Sequence, residues 1–532
     1  MQPKTTTKPK KRISLSSVAL LLIVTAFTGQ LLGLLRTKLV NANFPADGVH
    51  SSGAYFAAFN IPDFFFYTVA AGALGVAFIP VLAERMHKGD RHNMWELSYS
   101  LLNLLSVLMA IVAVVIFIFA QPLIHYIVAP NLTPAQLHDA TVIMRFLALN
   151  PLFFTISGVL TSVQQTLGRF FFYAIAPLFY NVSIIVSIYV FRGTSFGLKG
   201  LGLGAFIGGL LQLAVVMFGL IGTRVYWRPR ILWHSKDFRT ILRNLPPRSL
   251  DQGMDQVQSI VETNFASHLG TRFISFYNNA YTLHTAPVLL LGTAISTAAF
   301  PRLTERLAQG RTDLFDRDFL RILRTMIWLT LPVVIIGFFA RGYLARLIFS
   351  RDASEIALIF GYLTVAIFFR TIYAIISRWF YAQKDTRTPL FVSVFTIALN
   401  VVLAALLARP STYGIAGLAL SQSIVAMVEV CILTVIMLLR DRRLFNMQFW
   451  GGCFRIISVS GFSLVAGYIA VAFLPLGAND QGILTLGGKL AMIVAIIGGV
   501  HVIVSGLFGL EEARPIFERV KKFMLKPLKL PY

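Results

Sequence analysis

Arg248, Asp251, Asp255, Gln258 and Glu262 follow one another at steps of three and four residues. At about 100° per residue they fall within an arc of roughly 80° on one helix. One face then carries three carboxylates, a guanidinium and an amide, a set able to hold mixed charge, a proton or sodium. Each charge would cost about 2.5 to 3.5 kcal/mol at the centre of a bilayer, so the stripe is expected to face water, a partner or substrate rather than lipid. The other reading places the segment before Asp255 in the membrane interface and leaves only Glu262 deep.

Arg36 follows Gln30 in a run that is otherwise apolar. A guanidinium can make two parallel hydrogen bonds to a phosphate, but a long basic side chain can also snorkel to the interface. Asn60 and Asp63 flank Pro62, which interrupts a helix and frees carbonyls toward a cavity. A kink alone and a ligand contact remain even alternatives there. Asn278 and His284 are expected to be satisfied by interhelical hydrogen bonds. Lys384, Asp385 and Arg387 form a polar loop that reads as a conformational latch or a lipid-headgroup contact. Cys431 and Cys453 offer no disulfide framework and no metal set, so packing is their expected role. With no Walker loop, no GxGxxG after a strand and no HExxH, neither enzymatic activity nor a metal site is expected.

The elements that must position these residues are membrane helices. Of the 532 residues 56% are hydrophobic and only 13% charged, more apolar surface than a water-facing globule of this length can bury. Continuous apolar runs exclude the alternating code of a β-barrel. About fourteen runs are long enough to cross about 30 Å of hydrocarbon. They centre near residues 26, 68, 108, 150, 181, 210, 256, 286, 331, 368, 397, 426, 464 and 496. The run from Ile13 to Leu35 has no small-x-small cleavage site and reads as a retained helix rather than a signal peptide.

The net charge of +24 resembles a nucleic-acid signal until its placement is read. Basic residues gather at Lys4 to Arg12, Arg85 to Arg91, Arg224 to Arg243, Arg302 to Arg324, Arg440 to Arg443 and Lys521 to Lys526, in every second loop. Both termini are therefore expected in the cytoplasm, and no nucleic-acid partner is expected. Arg341, Arg346 and Arg351, after the ninth run, soften the pattern.

The chain also repeats itself. Ala77 to Gly89 (AFIPVLAERMHKG) matches Ala298 to Gly310 (AAFPRLTERLAQG). Gln165-x-x-x-Arg169 echoes Gln383-x-x-x-Arg387, and Gly200 to Ala205 echoes Gly414 to Ala419. Pro80 and Pro301 lie about six spans apart, so the halves enter the membrane with the same polarity. The expected fold is an all-α polytopic membrane protein, with two six-helix lobes related by a parallel pseudo-two-fold repeat plus two C-terminal helices. Its expected parts are a basic tail (1–12), an N-lobe (13–222), a basic linker (223–240), a C-lobe (241–440), a helix pair (441–510) and a basic tail (511–532).

Several of these residues carry a resemblance. Gly29 to Arg36 (GQLLGLLR), Ala54 to Pro62, Ala71-Gly-Ala73 and Phe78 to Glu84 resemble the first two helices of the MurJ/MviN lipid II flippases. Phe265-Ala-Ser267 resembles their seventh helix, and Phe380 to Pro389 (FYAQKDTRTP) their loop between helices ten and eleven. The resemblance runs from about residue 15 to 510. It implies fourteen helices and membership of the multidrug, oligosaccharidyl-lipid and polysaccharide exporter superfamily. It also implies alternating access and a multi-pass protein of the bacterial inner membrane.

The implied substrate is an undecaprenyl diphosphate-linked peptidoglycan precursor, lipid II, with membrane lipids and cell-wall synthesis proteins as partners. No cofactor is expected, and the membrane potential or an ion gradient would supply the energy. Where the family places further cavity arginines and an aspartate, this chain has Gln30, Gly53, Phe66 and, in the eighth helix, a position near Thr282. Gln30, Arg36, Asn60, Asp63, Arg248, Asp251, Asp255 and Glu262 are the candidate cavity residues. The departures keep open an exporter of another polyprenyl-linked glycan or of a cationic drug, and a degenerate homologue acting as a cell-wall scaffold.

Overall fold

The computed structural model describes residues 15–71, 78–88, 90–223, 225–477, 480–515 and 517–518. Among them the chain is helical and contains no strand. The first half comprises α1 (Leu15–Asn43), α2 (Ser52–Phe66), α3 (Ile79–His87), α4 (Arg91–Pro122), α5 (Pro134–Leu147), α6 (Asn150–Thr166), α7 (Phe171–Phe191) and α8 (Lys199–Phe218). A long helix, α9 (Lys236–Leu269), leads into α10 (Thr271–Pro287), α11 (Ala294–Ala308), α12 (Thr312–Phe339), α13 (Arg341–Ile348), α14 (Ala353–Ala382), α15 (Arg387–Leu407) and α16 (Ile415–Arg440). The chain continues through α17 (Met447–Phe473) and α18 (Gly482–Leu507). The linker expected over 223–240 ends early, because Ser235 caps α9 by accepting from the Phe238 amide.

Among the described residues, twelve segments are long and apolar enough to cross a membrane, two fewer than the fourteen expected. Each contains one of the expected centres. The other two centres, residues 68 and 256, fall on the π-helical turn Tyr67–Ala71 that continues α2 and on α9. Both are helical, but α2 is short and α9 carries too much charge to read as an apolar span.

The duplication is structural as well as textual. The π turn Val288–Thr293 follows Pro287. It starts 221 residues after the turn at Tyr67, the offset that separates Ala77 from Ala298. The small residues of the Gly200 and Gly414 echoes serve close helix packing. A Cβ at Gly204 would overlap Ser187 Oγ of α7, and one at Gly417 would overlap the Leu407 carbonyl of α15.

The loops that carry the Gln-x-x-x-Arg echo are both tied to a later helix end, but only in the first lobe is the echo's arginine the tie. Arg169 donates to the carbonyls of Gly219 and Ile221 at 3.1 and 2.8 Å, tying the α6–α7 loop to the end of α8. In the second lobe Asp385 accepts from Arg440 Nη2 at 2.6 Å, tying the α14–α15 loop to the end of α16.

How the lobes meet follows from their apolar cores. One continuous core joins Val40, Phe44, Ala54 and Ile61 of the first lobe to Ile274, Phe276, Phe349 and Phe360 of the second. At the opposite end the cores are separate, one around Phe78, Trp95 and Phe238 and one around Phe315, Trp379 and Phe449. The lobes are thus fused at one end and divided at the other. Across the fused end Ser52 Oγ lies 2.7 Å from Ser275 Oγ, Thr271 donates to Gln136 Oε1 at 2.8 Å, and Lys38 Nζ donates to the Leu347 carbonyl at 3.2 Å. At the divided end α9 starts against the first lobe, where Asp237 pairs with Arg85 through Nε at 2.7 Å.

The last helix pair is fixed to α12. His501 of α18 lies 3.0 Å from Ser463 of α17 and 3.1 Å from the Trp328 carbonyl, and Trp328 Nε1 donates to Ser505 at 2.8 Å.

Candidate functional site

Each lobe carries one polar group within its helices. In the first lobe α1 presents Arg36 and α2 presents Asp63, both half-buried. The charge of Arg36 acts on Asp63 and on the phenols of Tyr55 and Tyr180, and that of Asp63 acts on Tyr67. Arg36 forms no ion pair within 4.0 Å among the described residues, so its guanidinium stays available. Gln30 is half-buried on the same helix, six positions earlier.

Asn60 is committed to the fold. It is 6% exposed and its Oδ1 accepts from Ser259 Oγ at 3.0 Å and Thr263 Oγ1 at 3.5 Å, joining α2 to α9. Pro62 leaves α2 helical to Phe66, where the π turn takes over.

The stripe on α9 is split by its surroundings. Asp255 is exposed, whereas Gln258 and Glu262 are each 5% exposed and packed against the second lobe. Gln258 Nε2 donates to Glu262 Oε1 at 3.0 Å and also to Gln422 of α16. Glu262 therefore sits inside the second lobe rather than on an open cavity wall. Arg248 and Asp251 lie on α9, but their side chains are outside the described residues.

The structure adds a pair that sequence reasoning missed. Arg370, in α14, donates Nη1 to Glu429 Oε2 of α16 at 3.0 Å and Nη2 to Gln258 Oε1 at 3.2 Å. Ser393 of α15 donates to Glu429 Oε1 at 2.8 Å. Glu429, Arg370, Gln258 and Glu262 thus form one hydrogen-bonded chain through three helices, α16, α14 and α9. The signal was present: Arg370 and Glu429 are lone charges midway along runs that are otherwise apolar.

On α10, Tyr281 is 37% exposed and feels the charges of Glu262, Arg370 and Asp255. His284 departs from the sequence expectation: it is 2% exposed and neither ring nitrogen has a hydrogen-bond partner among the described residues. The side-chain amide of Asn278 likewise makes no described hydrogen bond; only the residue's backbone carbonyl accepts, from Thr282 Oγ1 at 2.9 Å.

Positions where the resemblance implies charge serve packing here. A side chain at Gly53 would run into the Thr271 carbonyl across the fused end, and the Phe66 ring meets Phe154 edge-on at 5.5 Å. In the loop before α15, Asp385 Oδ1 accepts from the Arg387 and Thr388 amides, both at 3.0 Å, and Oδ2 accepts from Thr388 Oγ1 at 2.6 Å. Lys384 adopts φ 62° as the chain leaves α14. The Asp385 contacts lie within the second lobe.

Two helical lobes, sharing one core at one end and keeping separate cores at the other, define a multi-pass membrane transporter. The chain belongs to the lipid II flippase MurJ family, whose model matches residues 48–486. A probable lipid II flippase MurJ of Borreliella burgdorferi is 22% identical, over 79% of this chain and 83% of that protein. The lipid II flippase MurJ of Burkholderia cenocepacia is 25% identical, over 75% of this chain and 80% of its own length. Among solved structures, a lipid II flippase MurJ in an inward closed conformation superposes with a TM-score of 0.73 at 21% identity, covering 92% of this chain and 98% of that one. A multidrug resistance MATE transporter of the MOP superfamily, inward-facing, superposes at 0.67 with 15% identity, covering 81% of this chain and 99% of its own. These structures share the fold.

Proposed function

We propose that this protein is an alternating-access flippase that carries lipid II from the cytoplasmic to the outer leaflet of the bacterial inner membrane. The observation that carries the reading is Arg36: a half-buried guanidinium on α1 with no ion-pair partner within 4.0 Å among the described residues, in a chain whose family model spans residues 48–486. A diphosphate in a low-dielectric cleft needs such a fixed cation, which can meet it with two parallel hydrogen bonds. The polyprenyl tail stays in lipid while the polar head occupies the cleft.

The basic loops put both termini in the cytoplasm. The fused end, beyond α1, then faces outward and the divided end opens to the side where the precursor is made. Membrane potential or an ion gradient drives the return. Cell-wall synthesis proteins fit as partners, and Lys384, Asp385 and Arg387 fit a cytoplasmic latch on the second lobe.

A second reading, an exporter of another polyprenyl-linked glycan or of a cationic drug, is favoured by Asp255, an exposed carboxylate on α9. Complementation decides between them. In cells depleted of their own lipid II flippase, the lipid II reading expects this chain to restore growth and shape. Lysis despite normal membrane insertion would count for the exporter.

A further inference from the structure

Arg341 runs against the charge pattern that orients the chain, because it stands just past the end of α12, away from the basic loop that precedes that helix. Its side chain is held in place. Nη1 donates to the Phe338 carbonyl at 2.7 Å, and the guanidinium lies 4.8 Å from the centre of the Phe338 ring. The stem rests on α14, where a Cβ at Gly361 would come within 2.9 Å of Arg341 Cδ. Even so, the guanidinium forms no ion pair within 4.0 Å among the described residues, so Nε and Nη2 are left for a ligand.

A second, independent feature is the space beside it. Arg341 lines a cavity of about 590 Å³ between the ends of α12 and α17 and the start of α14. That volume lies in the range of pockets that hold small organic ligands. Phe338, Leu358 and Tyr468 form its exposed walls. Arg341 is its one charged wall among the described residues. Ser354 and Tyr343, which also line it, give their hydroxyl protons to Glu355 and to the Leu474 carbonyl. A fixed cation at the edge of an apolar cavity between membrane helices complements a molecule that joins an anionic head to an apolar chain.

We infer that this cavity is a site for an anionic phospholipid, with the head-group phosphate on Arg341 and one acyl chain between Phe338, Leu358 and Tyr468. Two parallel hydrogen bonds from Nε and Nη2 suit a phosphate. With both termini in the cytoplasm, the site belongs to the outer leaflet. It is built from the second lobe and the last helix pair, Arg36 does not line it, and it does not depend on what the protein transports. The helix it touches, α13, also carries contacts between the lobes, since its Leu347 carbonyl accepts from Lys38 at 3.2 Å.

The test uses the full chain purified in detergent, titrated with phosphatidylglycerol or with phosphatidylcholine of the same acyl chains, and reads the most tightly held lipid by native mass spectrometry. The wild type should hold phosphatidylglycerol about tenfold more tightly, the worth of one charge-assisted hydrogen bond. Arg341→Gln should hold the two lipids equally. Ala472→Trp, which fills the cavity and leaves Arg341 in place, should hold neither as tightly as the wild type does. Equal affinity of the wild type for the two lipids, a preference that survives Arg341→Gln, or an Ala472→Trp variant that binds as the wild type does overturns the site and leaves the flippase reading standing. Displacement of the bound phosphatidylglycerol by lipid II, one for one, also overturns it, because the cavity would then belong to the substrate.

Discussion

Ser52 Oγ of α2 and Ser275 Oγ of α10 lie 2.7 Å apart, with the residues 2% and 0% exposed. The contact joins the two lobes at their fused end, which has to part if a head group is to leave on that side. Linking these positions should therefore stop transport. With Cys431→Ala and Cys453→Ala as background, Ser52→Cys combined with Ser275→Cys should lose transport on oxidation and regain it on reduction. Each single variant should be insensitive to oxidant. Transport that continues through the cross-link would show that this end does not open.

Arg370 and Glu429 form an ion pair between helices, with side chains 17% and 3% exposed. Removing one partner leaves the other charge uncompensated, a loss of about 3 to 5 kcal/mol for a buried pair. Arg370→Met should accordingly lower the thermal midpoint of the purified protein by several degrees. Arg370→Met with Glu429→Met should recover most of the loss, since two well-packed apolar residues replace the pair. Thermal unfolding in detergent checks this; an uncorrected double variant would mean that Arg370 acts mainly through Gln258.

How much of this was legible in the chain depends on the kind of residue. The duplication and the helix centres could be read because hydropathy and repeated text are local properties. Arg36 and Asp63 stood out because charges are rare in apolar runs. The α9 stripe was visible as a face, but periodicity alone cannot say what covers that face. Packing against α16 buries Gln258 and Glu262 and leaves Asp255 exposed. Arg370 and Glu429 are 59 residues apart, and only the packing of α14 on α16 makes them a pair. His284 fails the expectation for the same reason, since a hydrogen-bond partner is a property of the neighbouring helix.

Asp385 gives a pH dependence with a definite sign. Partial burial alone would raise its carboxyl, but hydrogen bonds from the Thr388 hydroxyl and amide and from Arg440 outweigh this and hold it below its ordinary 3.8. A depressed folded value means that the stabilisation is complete above 3.8 and is lost as pH falls through the lower folded value. Asp385→Asn keeps an oxygen to accept from the Arg387 and Thr388 amides but loses the charge that pairs with Arg440, so it should cost up to about 1 kcal/mol at neutral pH, the worth of a partly exposed ion pair. The gap to the wild type should stay constant from pH 7 to pH 5 and close only in stronger acid. A gap that already narrows between pH 7 and pH 5, measured by thermal unfolding, would contradict the assignment.

The most direct test of the flippase account is the transfer of labelled lipid II between leaflets of proteoliposomes, measured for the wild type, Arg36→Ala and Arg36→Lys at matched protein content. A guanidinium's paired hydrogen bonds to a diphosphate cannot be reproduced by an ammonium. The account predicts transfer by the wild type, none by Arg36→Ala and a reduced rate for Arg36→Lys. Transfer by Arg36→Ala at the wild-type rate would contradict it.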